Sequence, residues 1–267
     1  MSRSLFDLPI TLTSEWIFNC YLLESDDGIV AFDPGLPSVA RKARRWIDQE
    51  GRPLTALLCT HGHPDHLAGI EPLRGAEDIP VYMPKRFDAY LQGEVPRMFP
   101  LVDSSLRLLP VLGEQPFSFT AIREFAAASD IGFGQSKTFQ LPFQPSGFVS
   151  DGKPLPMASD WEVIETPGHS DCSTSYYHRA TETLISGDAV VTQDGAPWFN
   201  PEYVDLDLCK QTEERLRALP VRHLLPGHGP PLAAPNVWDR AKSCTAKPTG
   251  NSILARCART LVRWPHA

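Results

Sequence analysis

His61-Gly62-His63-Pro64-Asp65-His66 puts four metal-capable side chains within six residues. Further along, three more stand beside glycine: His169 in Pro167-Gly168-His169, Asp188 in Gly187-Asp188, and His228 in Pro226-Gly227-His228-Gly229. Five of the eight histidines in the chain belong to this set. Imidazole and carboxylate are the ligands that borderline divalent metals take, zinc above all. Seven such groups exceed what one tetrahedral ion holds, so the set reads as a site for two metals, and such sites are typically hydrolytic. His61 and His63, two apart in an extended segment, project from the same side and can share one ion. Asp65 and His66 point elsewhere and can serve a second.

The ordered set resembles the metallo-β-lactamase-fold superfamily. The family pattern is H-x-H-x-D-H, then a histidine after Pro-Gly, then Gly-Asp, then a late Gly-His-Gly-Pro. It is present as Thr60 to His66, Thr166 to Ser170, Ser186 to Ala189 and Pro226 to Pro230, with Phe32-Asp33-Pro34-Gly35 as an early strand-ending landmark. The resemblance implies an α/β fold of the αββα sandwich type. It also implies a metal set in which His169 joins His61 and His63, His228 joins Asp65 and His66, and Asp188 bridges the two ions. The expected cofactors are two divalent cations, zinc first, with iron or manganese as alternatives. Asp65 is expected to be catalytic as well as a ligand, because it helps place the attacking water. The implied chemistry is hydrolysis of an ester, thioester or lactone by a metal-bridging hydroxide. The alternative is a persulfide dioxygenase-like oxidoreductase using one iron, with Asp188 completing its ligands; Gly168-His169-Ser170-Asp171-Cys172 is faintly similar to that branch.

Other branches fit less well. The zinc β-lactamases place a cysteine where Asp188 stands or use a different second-metal set. The RNA-processing branches carry a nucleic-acid-binding insert, and the flavin-linked diiron branch has Glu at the position of His63. Glyoxalase II shares all seven ligands but has a basic carboxy-terminal domain that the tail after Pro231 does not match. Quorum-signal lactonases place a tyrosine where this chain has Val191.

At 267 residues, with 42% hydrophobic and 21% charged residues, the chain suits one compact domain over residues 1–267. The net charge of −7 argues against a nucleic-acid partner. Six cysteines form no C-x-x-C pair and read as reduced thiols. With no run of eighteen apolar residues and no apolar leader, the expected partner is a small-molecule substrate rather than a membrane, and the expected location is cytoplasmic. His178, His223 and His266 read as ordinary histidines.

Trp16 to Leu23 and Gly28 to Phe32 read as a hairpin about the turn Ser25-Asp26-Asp27-Gly28, ending at Asp33. Asp33 either orients a ligand at the site or simply forms a turn before Pro34. A helix capped by Ser38 and closed by Gly51 is expected next, then a buried strand over Leu54 to Thr60. Strands are expected at Trp161 to Glu165, Ser173 to Tyr177, Thr183 to Ile185 and Val221 to Leu225. Helices are expected at Asp207 to Leu219 and, capped by Ser252, within a helical tail over 232–267. Between about 84 and 150 the pattern breaks into a Phe- and Pro-rich insertion holding nine of the thirteen phenylalanines, with helices at Lys85–Leu91 and Phe119–Ala128. Its phenylalanines either form a core of their own or cap the metals. On the cap reading some of Phe87, Phe99, Phe117, Phe119, Phe133, Phe139, Phe143 and Phe148 line an apolar pocket for a hydrophobic substrate.

Overall fold

The computed structural model describes residues 4–98, 101–132 and 139–264. One six-stranded sheet runs β1 (Ile10–Glu15), β2 (Phe18–Ser25), β3 (Gly28–Phe32), β4 (Leu54–Leu58), β5 (Val81–Pro84) and β6 (Gly147–Val149), in that spatial order. A second consists of β7 (Pro154–Leu155), β8 (Ala158–Glu165), β9 (Thr174–His178), β10 (Thr183–Gly187), β13 (His223–Pro226) and β14 (Leu232–Ala233). A ribbon of β11 (Val190–Gln193) and β12 (Ala196–Phe199) stands apart. The helices are α1 (Pro37–Glu50), α2 (Pro64–Leu67), α3 (Ile70–Arg74), α4 (Phe87–Leu91), α5 (Leu101–Leu112), α6 (Phe119–Ala127), α7 (Leu206–Arg217) and α8 (Ile253–Leu261).

The layers follow from side-chain alternation. On β2, Tyr21 and Leu23 join a core with Phe32 and Leu58, while Cys20 and Leu22 face the opposite way. The inner core also takes Trp161, Tyr176, Ile185 and Leu225 from the second sheet, so it lies between the two sheets. Ile29 and Ala31 pack outward against Val39, Ala43 and Ile47 of α1. Leu184 and Leu224 pack outward with Cys209 and Leu216 of α7. Helix, sheet, sheet, helix is the αββα sandwich. Strands buried on both faces explain why β3 is a continuous apolar run and β4 is interrupted only by Thr55.

Local signals mostly held. Gly51 ends α1 with φ +66, and the Ser252 hydroxyl accepts from the Ala255 amide at the start of α8. Ser38 does not cap α1. Pro37 already occupies the first turn, where its missing N–H costs nothing, and Ser38 lies within the helix. Several elements went unread, among them β1, which pairs antiparallel with β2, the short strands β5, β6, β11 and β12, and α5, whose internal Pro110 looks like a breaker in sequence. All six cysteines are free thiols. No helix among the described residues is long and apolar enough to cross a membrane.

Within 84–150 the phenylalanines divide. Phe87 and Phe143 are buried, and Phe139 and Phe148 pack against the same core as α1. Phe117, Phe119 and Phe125 are exposed. Phe99 and Phe133 lie outside the described residues, as does His266. His178 pairs with Asp160 at 2.9 Å and His223 stacks on Phe6, so both have ordinary roles.

Candidate metal centre

Every metal-capable residue follows the carboxyl end of a strand. His61 and His63 follow β4, with Asp65 and His66 on the short α2; His169 follows β8, Asp188 follows β10, and His228 follows β13. Parallel pairing of β3 with β4, and of β10 with β13, brings these ends to one edge of the sandwich, the usual ligand position in open α/β sheets. Glycines permit the close approach. A side chain at Gly187 (φ +49) would strike Thr60, and one at Gly227 would strike Asp188 Oδ1.

The residues converge as two groups whose ligand atoms lie within 4.8 Å of one another: His61, His63, His169 and Asp188 in one, Asp65, His66 and His228 in the other. His63 Nδ1 is 2.9 Å from His61 Nε2 and 3.0 Å from His169 Nε2. Asp188 Oδ2 is 3.8 Å from His61 Nε2, 3.6 Å from His169 Nε2 and 3.1 Å from His228 Nε2. Its Oδ1 is 3.5 Å from His66 Nε2. Asp188 thus touches both groups. Asp65 Oδ2 lies 3.1 Å from His228 Nε2 and 3.7 Å from His66 Nε2.

Oxygen atoms hold the outer nitrogens of the rings. His61 Nδ1 is 3.1 Å from Thr60 Oγ1, whose hydroxyl donates to Asp33 Oδ2 at 2.8 Å. A hydroxyl with its proton committed there accepts from His61 Nδ1–H, which leaves Nε2 with a lone pair facing the centre. His169 Nδ1 donates to the Glu202 carbonyl at 2.8 Å, and His228 Nδ1 lies 3.3 Å from the Ile17 carbonyl. His66 Nδ1 is 3.0 Å from Asp33 Oδ2. Fixing the outer nitrogen sets the tautomer of a metal-binding imidazole. Asp33 therefore does more than turn the chain: with φ +49 after β3 it braces Thr60 and His66 together.

Two residues here escaped the sequence reading. The Asn200 amide donates to the Asp188 carbonyl at 2.9 Å, and its Oδ1 accepts from the Glu202 amide at 2.9 Å. It ties the Asp188 loop to the carbonyl that holds His169. Glu202 is buried, and burial followed by the charge of Asp188 pushes its carboxyl up to about 8. Neither residue carries a local signal in sequence.

The electrostatics suit cation binding. Burial, then neighbouring imidazoles, hold His61 well below its ordinary value and His63 at about 3; burial also lowers His169. These three rings are neutral and can donate lone pairs. Burial opposes the charge on Asp65, but His66 and His228 outweigh it and hold its carboxyl at about 2. Against the same opposition, His228 and His66 hold Asp188 well below its ordinary value. Within the set, Asp188 Oδ1 and both ring nitrogens of His66 are buried without a hydrogen-bond partner, although His66 Nδ1 lies in ion-pair range of Asp33. An orphaned buried carboxylate oxygen beside converging lone pairs is what a cation would satisfy. The donor set of five imidazoles and two carboxylates fits divalent metal.

Comparison with known proteins agrees. The profile of the metallo-beta-lactamase superfamily matches residues 15–228. The probable metallo-hydrolase YqgX of Bacillus subtilis is 29% identical over 216 residues, covering 79% of this chain and 85% of the relative. The probable metallo-hydrolase YflN of the same organism is 27% identical over 247 residues, covering 82% and 83%. The solved metallo-beta-lactamase superfamily protein ST1585 of Sulfolobus tokodaii superposes with a TM-score of 0.57 at 15% identity, covering 96% of this chain and 95% of that one. With the sandwich, the strand-end ligands and the profile all in register, the chain belongs to the metallo-beta-lactamase superfamily.

Proposed function

We propose that this metal-dependent hydrolase cleaves an ester, thioester or lactone at a binuclear centre, with zinc the first candidate for both ions. The observation that carries the reading is Asp188, whose carboxylate touches both ligand groups at once. His61, His63 and His169 would hold one cation, Asp65, His66 and His228 the other, with Asp188 between them. Bound there, two cations supply an activated water and polarise the substrate carbonyl.

The chain's own residues do the rest. Thr60, Asp33 and the Glu202 carbonyl keep the imidazoles aimed inward, so little reorganisation accompanies the reaction. Asp65, whose carboxylate His66 and His228 hold ionised, would orient such a water by accepting a hydrogen bond from it.

The test joins elemental analysis and anomalous scattering on metal-loaded protein with turnover of a panel of esters, thioesters and lactones. Two ions per chain with acyl hydrolysis is the expected result. One iron with oxygen uptake on a persulfide, and no hydrolysis across the panel, would overturn it.

A further inference from the structure

Two thiols meet beneath the His169 loop. Cys209 on α7 and Cys244, beyond β14, belong to one buried cluster, and the Cys209 thiol donates a hydrogen bond to Cys244. The helix itself brings them together. Cys209, Glu213 and Arg217 stand four residues apart on one face of α7. Glu213 Oε2 accepts from the Cys244 amide at 3.1 Å and from the Ser243 hydroxyl at 2.8 Å. Arg217 pairs with Glu213 at 2.9 Å and donates to the Ala241 carbonyl at 3.0 Å. Residues 241–244 are thereby fastened along α7, with the Cys244 thiol against that of Cys209.

Each thiol also adjoins a support of the metal centre. The Gly168 carbonyl accepts from the Val204 amide at 2.8 Å and the Asp205 amide at 3.3 Å, and the Thr212 hydroxyl donates to the Pro167 carbonyl at 2.7 Å. The Pro167-Gly168 turn therefore rests on the start of α7, so closely that a Cβ at Gly168 would lie 2.7 Å from the Cys209 sulfur. His169 is the next residue. On the other side, the Lys242 carbonyl accepts from the Phe199 amide at 3.0 Å, and Asn200, which holds the Asp188 carbonyl, comes next in the chain. A shift at the thiol pair thus reaches the supports of both His169 and Asp188 within a few residues.

We infer that Cys209 and Cys244 are an oxidative modification site, which hydrogen peroxide converts to a disulfide that weakens the hold of the metal centre on its ions. Both thiols are buried, so the oxidant that reaches them is small and uncharged. The Cys244 thiolate attacks one peroxide oxygen, the O–O bond breaks, and the other oxygen leaves as water once protonated. Cys209 sulfur then attacks the resulting Cys244 sulfenic acid and displaces its hydroxyl as a second water. The two thiols give up two electrons and two protons, and one peroxide becomes two waters. The order follows from the hydrogen bond, which holds the Cys244 thiol below its ordinary value against burial and pushes Cys209 up. Bond closure displaces the Cys209 sulfur, against which the Gly168 turn is packed without room to spare.

The test treats zinc-loaded protein with hydrogen peroxide. Remaining thiols are alkylated and mapped by peptide mass, and zinc affinity is measured by competition with a chromophoric chelator. The expected result is a linked Cys209–Cys244 peptide, loss of two of the six thiols, and zinc affinity lowered about tenfold, all reversed by dithiothreitol. Cys244→Ser should abolish both the link and the affinity loss. Cys257→Ser, which removes the one cysteine that is not buried, should keep both. Mapping of the parent chain decides the site by itself: oxidation at Cys257 or elsewhere, with Cys209 and Cys244 still reduced, would overturn it. A linked peptide with unchanged zinc affinity would overturn the connection to the metal centre. Neither readout is turnover, so the hydrolase reading stands or falls separately.

Discussion

The loops after β4, β8, β10 and β13 bury their polar side chains, whereas the segment between β5 and β6 leaves phenylalanines in water. His61, Asp65, His66, His169, Asp188 and His228 are all buried and His63 partly so, each in contact with another member of the set. Phe117, Phe119 and Phe125 are exposed. Burying charge is tolerated where opposite charges and fixed hydrogen bonds compensate it, and a cation would complete that compensation. The strand ends, rigid within two sheets, suit the chemistry that must not move. The inserted segment packs into the core beside α1 through Phe87, Tyr90 and Ala121 and keeps only part of its phenylalanines there.

The widest gap between the regions is expected at Asp65. Asp65→Ala removes one carboxylate from the second ligand group and misplaces the attacking water, so turnover should fall about a thousandfold, close to 4 kcal/mol of barrier. Turnover near the parent level with two ions still bound would remove Asp65 from the catalytic set.

A contrast inside the insertion comes next. Phe87→Ala empties a fully buried site and should destabilise the fold by about 3–5 kcal/mol. Phe119→Ala, at 76% exposure, should stay within about 0.5 kcal/mol in chemical denaturation. Equal effects would mean that the two phenylalanines do not belong to different environments.

Asp33→Asn keeps the side-chain shape and tolerates φ +49, but it removes the charge beside His66. Metal affinity, measured by competition with a chromophoric chelator, should weaken by about 10–100-fold while the fold persists. Unchanged affinity would return Asp33 to a turn-forming role.

The smallest effect is on pH. Burial works against charge on His228, but Asp188 and Asp65 hold its imidazole protonated up to about 10, and the same carboxylates together with Asp33 raise His66. A ligating imidazole is neutral, so cation binding displaces protons, and affinity should rise with pH from about 6 to 9. Calorimetry in buffers of different ionisation enthalpy should count at least about one proton released per chain at neutral pH. Zero release would show that neither ring surrenders a proton to the metal.

The seven metal-capable residues were legible because their chemistry is written in residue type and local spacing. Two histidines two apart, and ligands beside glycine, need no distant partner to be recognised. The strand, helix, strand order from Gly28 to Thr60 pointed to α/β layering, and the sandwich itself came from the family resemblance that the metal-capable residues carry. Within the insertion legibility failed, since Pro110 hid α5 and composition alone did not separate buried Phe87 from exposed Phe125. Ser38 misled because helix starts depend on which residue first adopts helical geometry, and Pro37 claims that place.

Sequence by itself determined the metal-capable residue types, their order and the α/β layering, because those rest on side-chain chemistry and element order that act over short stretches of chain. Only the tertiary structure decided that Asp33 braces His66, that Asn200 and the Glu202 carbonyl steady the Asp188 and His169 loops, and that Phe18 joins His228 to the aromatics of α6. Those contacts join residues tens to hundreds of positions apart. Their geometry is set by strand register and helix docking, which no local stretch of chain specifies.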